Sequence, residues 1–134
     1  MSLSRRSLVT ICSLALCGLL LPSTALGYDI EIDVAPNVLN IQSESVVVTV
    51  HTDIAYSLVV GSSVFLNGVA ISHWKADARG NFVAKFSSDD IKSLDGLKID
   101  DYNTLVLIGY DTDGVAFMGS QDIKVISVIP QGRN

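Results

Sequence analysis

Cysteine is almost missing from this 134-residue chain: Cys12 and Cys17 are the only two, both inside an apolar stretch near the amino terminus. From Gly27 onward there is no thiol, which excludes a disulfide framework, a thiolate–metal site and a cysteine nucleophile in that part. Basic residues are scarce too, nine Lys and Arg against 14 Asp and Glu, for a net charge of −5. Phosphate recognition relies on clustered Lys and Arg, so neither nucleic acid nor anionic lipid is an expected partner. Long apolar runs are also lacking. The longest, Leu8 to Leu21, is about 14 residues, short of the roughly 20 that a membrane-crossing helix needs.

What is present begins with that run. Arg5 and Arg6 precede it, the helix-breaking Pro22 follows it, and Ala25-Leu26-Gly27 supplies small residues at alternate positions. Basic, apolar and small-residue segments in that order form a secretory leader, with cleavage expected after Gly27. A retained leader would tether the domain at the outer face of the membrane. Ser4-Arg5-Arg6-Ser7-Leu8 has the look of a twin-arginine signal, which exports folded chains; the uninterrupted apolar run suits unfolded export better. Cys17 follows Leu16, where a lipoprotein signal has a small residue. Without the leader, seven basic side chains face 14 acidic ones. The remainder, 28–130, is the size of one domain able to bury a core without staples, and 131–134 is a polar tail expected to fray.

Strand signals follow one another along this domain. Tyr28 to Val34 alternates acids with Ile30, Ile32 and Val34, the pattern of a half-buried strand, and Pro36 ends it. Ser45 to Val50 is β-branched almost throughout. Val64-Phe65-Leu66 and Val69-Ala70-Ile71 flank Asn67-Gly68, the dipeptide that best accepts two successive positive φ values in a type I′ hairpin. Phe82 to Phe86 alternates again, Thr104 to Ile108 is nearly all apolar, as in a strand covered on both faces, and Asp113-Gly114 turns the chain into the last strands. Ser87 or Ser88 is placed to cap one helical turn through Asp89, Asp90, Ile91 and Leu94. Seven or eight short strands with turns every 8–12 residues predict an all-β, antiparallel two-sheet sandwich of immunoglobulin-like type. Its expected core gathers Ile32, Val48, Val50, Phe65, Phe82, Phe86, Leu105, Leu107, Ile123 and Val125, with register as the weak point.

From Val64 to Ile126 the order of features resembles a bacterial secreted immunoglobulin-like module of cell-surface and extracellular proteins. The likeness is carried by Val64-Phe65-Leu66-Asn67-Gly68, by Trp74-Lys75-Ala76-Asp77 with Gly80 to Phe86, and by Thr112-Asp113-Gly114, Phe117, Gly119 and Asp122 to Ile126. These residues encode turns and strands, so the resemblance implies a fold rather than a chemistry. Some similar modules have a longer, Asp-rich loop before the Val83-Ala84-Lys85-Phe86 strand; here it is only Asp77-Ala78-Arg79-Gly80-Asn81.

Residues able to do chemistry are few. His51 and His73 are the only histidines and belong to no paired ligand motif. No Gly-x-Ser-x-Gly elbow, phosphate-binding glycine loop or dinucleotide fingerprint is present. Asp89-Asp90 suits helix capping and Asp100-Asp101 a loop, so neither pair points to glycoside hydrolysis. Asp111-Thr112-Asp113-Gly114 looks like the start of a calcium loop, but Val115 to Met118 then supplies an apolar strand where ligands are needed. No catalytic, cofactor or metal residue is therefore assigned, and no cofactor is expected. Trp74, the sole tryptophan, with Tyr56 and Tyr110, and with Tyr102 as a further ring, is the candidate ligand surface, since flat rings stack on sugars; a core or hairpin-packing role is the competing expectation for Trp74. The expected function is that of an exported, non-catalytic structural or adhesive module in the periplasm, at the cell surface or outside the cell; the alternative is a small polysaccharide-binding module using the aromatics near Trp74.

Overall fold

A computed structural model describes residues 27–44 and 47–130. The leader, the polar tail and the first two residues of the Ser45–Val50 segment lie outside the described residues. The rest is all-β, two sheets packed as a sandwich. Ten strands are formed: β1 (Tyr28–Asp29), β2 (Ile32–Ala35), β3 (Val38–Asn40), β4 (Val47–Ala55), β5 (Phe65–Leu66), β6 (Val69–Ala70), β7 (His73–Ala76), β8 (Asn81–Ser87), β9 (Asp101–Tyr110) and β10 (Ala116–Ile126). One short helix, α1 (Ser88–Lys92), follows β8. One sheet runs β1-β10-β9-β5-β6, with β3 also on β10; the other runs β2-β4-β8-β7.

Local chemistry explains the joints. Asn67 and Gly68 both have positive φ, 48° and 84°, and Leu66 pairs with Val69 across them, as a two-residue type I′ hairpin requires. The Asn67 side chain also reaches the neighbouring strand, accepting from the Val106 N–H and donating to the Thr104 carbonyl. At the other end of β9, Asp111 to Val115 closes a long hairpin in which Tyr110 pairs with Ala116. In α1 the two acids occupy the first turn and Lys92 the last, matching the helix dipole. The Ser87 side chain makes no capping bond there, so dipole complementarity and the buried Ile91 support the turn instead.

The segment expected as one strand, Tyr28 to Val34, divides between the two sheets. Tyr28 and Asp29 run parallel to Phe117 and Met118, whereas Ile32 to Ala35 runs antiparallel to Thr49–Thr52 of the other sheet. The chain crosses at Ile30 and Glu31 over Gly119, where any side chain would collide with Ile32 and the Ile30 carbonyl. Alternation survives such a crossing because both halves keep one face inward. β4 runs on to Ala55, well past the β-branched stretch, with a bulge between His51 and Ala55.

Eight of the ten expected core residues are fully buried, and Val34, Leu39, Ile54, Val64, Leu66, Ile91 and Phe117 join them. Each such side chain contributes about 1.5–3 kcal/mol relative to exposure. Ile32 is only half-buried against this cluster, being at the sheet crossing. Phe65 is a correction: it is 36% exposed while its neighbours Val64 and Leu66 are buried. In a run of three apolar residues the pattern does not reveal which position faces inward, and the Leu66–Leu107 pairing settles it for Leu66. A second correction concerns Thr104 to Ile108, whose outer face is open, with Ile108 47% exposed. The buried polar groups are satisfied: Thr52 donates to the Phe82 carbonyl, and Asn103 accepts from the Lys98 N–H and donates to the Lys98 carbonyl.

Candidate interaction surface

Cross-strand partners point to the same side of a sheet, so the register writes out the open face of the β10-β9-β5-β6 sheet. One row reads Ala70, Phe65, Ile108, Met118 and then Asp29 of β1. The next row, nearer the Asp111 turn, holds Tyr110 and Ala116. Phe65, Ile108 and Met118 are about 36–47% exposed and Tyr110 53%. They line a groove of about 480 Å³, closed at one side by Gly27, Tyr28 and Asp29. A second recess of about 370 Å³ lies where the chain leaves β10, lined by Asp29, Ile30, Glu31, Met118, Gly119 and Ser120. Asp29 and Met118 belong to both. In the opposite direction the face turns polar: Thr104 donates to Asp122, and the Lys124 ammonium stands 5.9 Å over the Tyr102 ring.

The groove wall is fixed by a latch. The Tyr28 hydroxyl donates to the Asp111 carboxylate at 2.8 Å, and the Tyr28 ring lies 6.3 Å from that of Phe117. Burial and the Asp111 carboxylate raise the Tyr28 hydroxyl above its ordinary pKa. Asp111 is held below the usual carboxylate range, first by the Val115 N–H and then by the Tyr28 hydroxyl and the Asp113 N–H, against an opposing contribution from burial. Its oxygens are thus engaged by turn amides and a phenol. The same device recurs at Asp77, which accepts from the Arg79 and Asn81 amides around Gly80; the Asn81 amide lowers its pKa most, with burial opposing. Each Asp stands three residues before a glycine at positive φ, Gly80 and Gly114.

The three aromatic residues expected to form a ligand surface are held by different elements. Trp74 pairs with Ala84, which puts the indole on the inward side of its sheet, against Gly61, where there is no room for a side chain. Tyr56 opens a 3-10 turn and its ring tilts over Phe82 at 6.3 Å. Tyr110 faces outward and lines the groove. The segment after Tyr56 ties it to the strand end at Tyr110: the Tyr56 N–H donates to the Gly80 carbonyl, the Val60 N–H donates to the Tyr110 carbonyl, and the Tyr110 N–H donates to the Ser63 hydroxyl. Tyr102 sits at the polar end of the same outer face as Tyr110. His51 and His73 are exposed, pairing with Asp33 and Lys85 respectively. Among the described residues, no group of three or more His, Cys, Asp and Glu is gathered as a ligand set, and no helix is long and apolar enough to cross a membrane.

No family model, curated protein or solved structure matches this chain. Its surface therefore has to be read from its own residues. Sequence reasoning overlooked Phe65, Ile108 and Met118 as surface residues, whereas Asp29 falls on the acidic outer face that the alternation of Tyr28 to Val34 already marks. Ile108 alone carried a signal, since it shares parity with Thr104 and Tyr110 along one strand.

Proposed function

We propose that this chain is an exported, non-catalytic, immunoglobulin-like module that acts in the periplasm, at the cell surface or outside the cell by presenting a surface to a protein partner. The observation that carries the reading is the contiguous apolar row Phe65–Ile108–Met118 on the open face of a sheet. A patch of this kind is about the largest that a monomeric protein exposes, and such patches are often functional. The immunoglobulin-like assignment is supported by strand order. With β2, β4, β5, β6, β7, β8, β9 and β10 taken as A, B, C, C′, D, E, F and G, the sheets run A-B-E-D and G-F-C-C′. Export is supported by Arg5-Arg6, the Leu8–Leu21 run and Ala25-Leu26-Gly27. A non-catalytic role is supported by Asp77 and Asp111, the two carboxylates with lowered pKa, whose oxygens serve turn amides.

The test is fractionation of cells producing the full chain, compared with an Ile108→Lys variant. A polypeptide that begins at Tyr28, is recovered outside the cytoplasm and is retained on the envelope or in a complex, with retention lost in the variant, supports the reading. An uncut cytoplasmic chain, or equal retention of both forms, overturns it. The polysaccharide reading, which centres on Trp74, predicts instead that glycan titration quenches the single tryptophan and that Ile108→Lys leaves the quenching intact.

A further inference from the structure

The groove and the recess beside it differ in chemistry but share Asp29 and Met118. The groove is apolar, and among the described residues Asp29 is the sole charged side chain lining it. The recess adds Glu31, and no Lys or Arg among the described residues lines either cavity. The Glu31 N–H donates to the Asp53 carboxylate at 3.0 Å, which brings a third acid to the same end. We propose that this surface docks an extended cationic, amphipathic peptide segment, with one apolar side chain seated between Phe65, Ile108 and Met118 and a Lys, Arg or terminal ammonium beside Asp29 and Glu31. The inference rests on the surface-presenting function above and names its occupant.

Size favours a segment over a second folded copy. An aromatic side chain offers about 150–250 Å² when fully exposed, so Phe65, Ile108, Met118 and Tyr110 at around half exposure present roughly 400 Å², about half of what each partner in a standard stable interface buries. The groove volume of about 480 Å³ falls in the range of about 300–1,000 Å³ typical of ligand sites. From β5 across β9 and β10 to β1 there are three strand spacings of about 4.8 Å, a span matched by roughly four extended residues. In such a segment side chains two residues apart share a face, so an apolar residue over Ile108 sets its second neighbour toward Asp29. Charge excludes the competing surfaces. Anionic lipid or an acidic glycan would meet the carboxylates with no cation in either cavity, and a neutral sugar would find few polar partners along Phe65, Ile108 and Met118.

The experiment titrates the purified protein with the end-blocked heptapeptide Lys-Ser-Leu-Ser-Lys-Ser-Leu, which sets leucine and lysine two residues apart on one face, alongside its glutamate-for-lysine counterpart, followed by calorimetry and by NMR of the backbone amides. The lysine peptide is expected to shift Phe65, Ile108 and Met118, to bind at least about tenfold more tightly than the glutamate peptide, and to weaken severalfold between about 50 and about 500 mM salt. Asp29→Lys should cost at least about tenfold in affinity and Ile108→Lys should abolish the shifts, with both variants melting close to the parent. Asp29→Asn, which keeps size and removes charge, covers the case in which Asp29→Lys does not fold. Equal binding of the two peptides, or binding indifferent to both substitutions, overturns the proposal. So does a doubled mass in light scattering without peptide binding, or shifts at these residues produced only by anionic vesicles or by a neutral oligosaccharide. If Ile108→Lys releases the chain from the envelope yet the lysine peptide does not bind, the surface function stands and this occupant is wrong.

Discussion

Two aspartates and one glycine show how single residues set the turns of this protein. Asp77 and Asp111 each accept two amides from the turn that follows, and each is held below the ordinary carboxylate range, by the Asn81 and Val115 amides above all. A folded-state pKa below the unfolded one stabilises the fold fully above the unfolded value of about 3.9 and ceases to do so as pH falls through the folded value. The melting temperature is therefore expected to fall as pH drops below about 4, and Asp77→Asn with Asp111→Asn should flatten that limb. An acid limb unchanged in the double variant would show that other carboxylates control it. Gly68, with φ of 84° and open space around it, has a conformational rather than a packing reason to be glycine. Gly68→Val should cost about 1–2 kcal/mol, read as a lower denaturant midpoint with an unchanged slope.

At the scale of strands, the sequence allowed the sheets to be recognised more readily than their facing. Alternation in Phe82 to Phe86, broken only at Val83, and turn chemistry at Asn67-Gly68 and Asp113-Gly114 carried their elements into the structure. Val64-Phe65-Leu66 offered three apolar residues in a row, and only pairing with β9 decides which of them are inward. Substitution separates the two environments: Leu105→Ala, in the closed core, should cost about 2–5 kcal/mol, while Phe65→Ala should cost far less because its ring already meets water. Similar costs at the two positions would mean that the sheet face is covered in solution. The division of Tyr28–Val34 between sheets was not legible, because a crossing leaves alternation intact and its one marker, the close approach over Gly119, lies about 90 residues away in sequence. The candidate surface was hidden for the same reason. Phe65, Ile108, Met118 and Asp29 belong to four strands and become neighbours only through register.

For the whole molecule, the amino terminus ties the proposed removal of the leader to folding. Gly27 lies against β10, where a side chain would collide with the Ala116 carbonyl. Tyr28 is the first residue of β1, paired with Phe117 and latched to Asp111, and the Ile30 N–H donates to the Met118 carbonyl at 2.8 Å. The peptide bond after Gly27, where the leader is expected to be removed, thus enters the ladder at once in the folded chain. A protease that cuts after Gly27 has to hold the residues around that bond in its own cleft, and β1 cannot occupy a cleft and the edge of β10 together. For the proposed leader, cleavage before β1 docks is the order this geometry favours. Purified precursor offered to detergent-solubilised membranes containing leader peptidase should be cut much faster when kept unfolded than after refolding. Tyr28→Phe, which removes the latch to Asp111, should narrow the gap once its rate is referred to that of the same variant unfolded. Equal rates for the folded and unfolded parent chain would show that β1 peels from β10 freely and that the ladder places no order on processing.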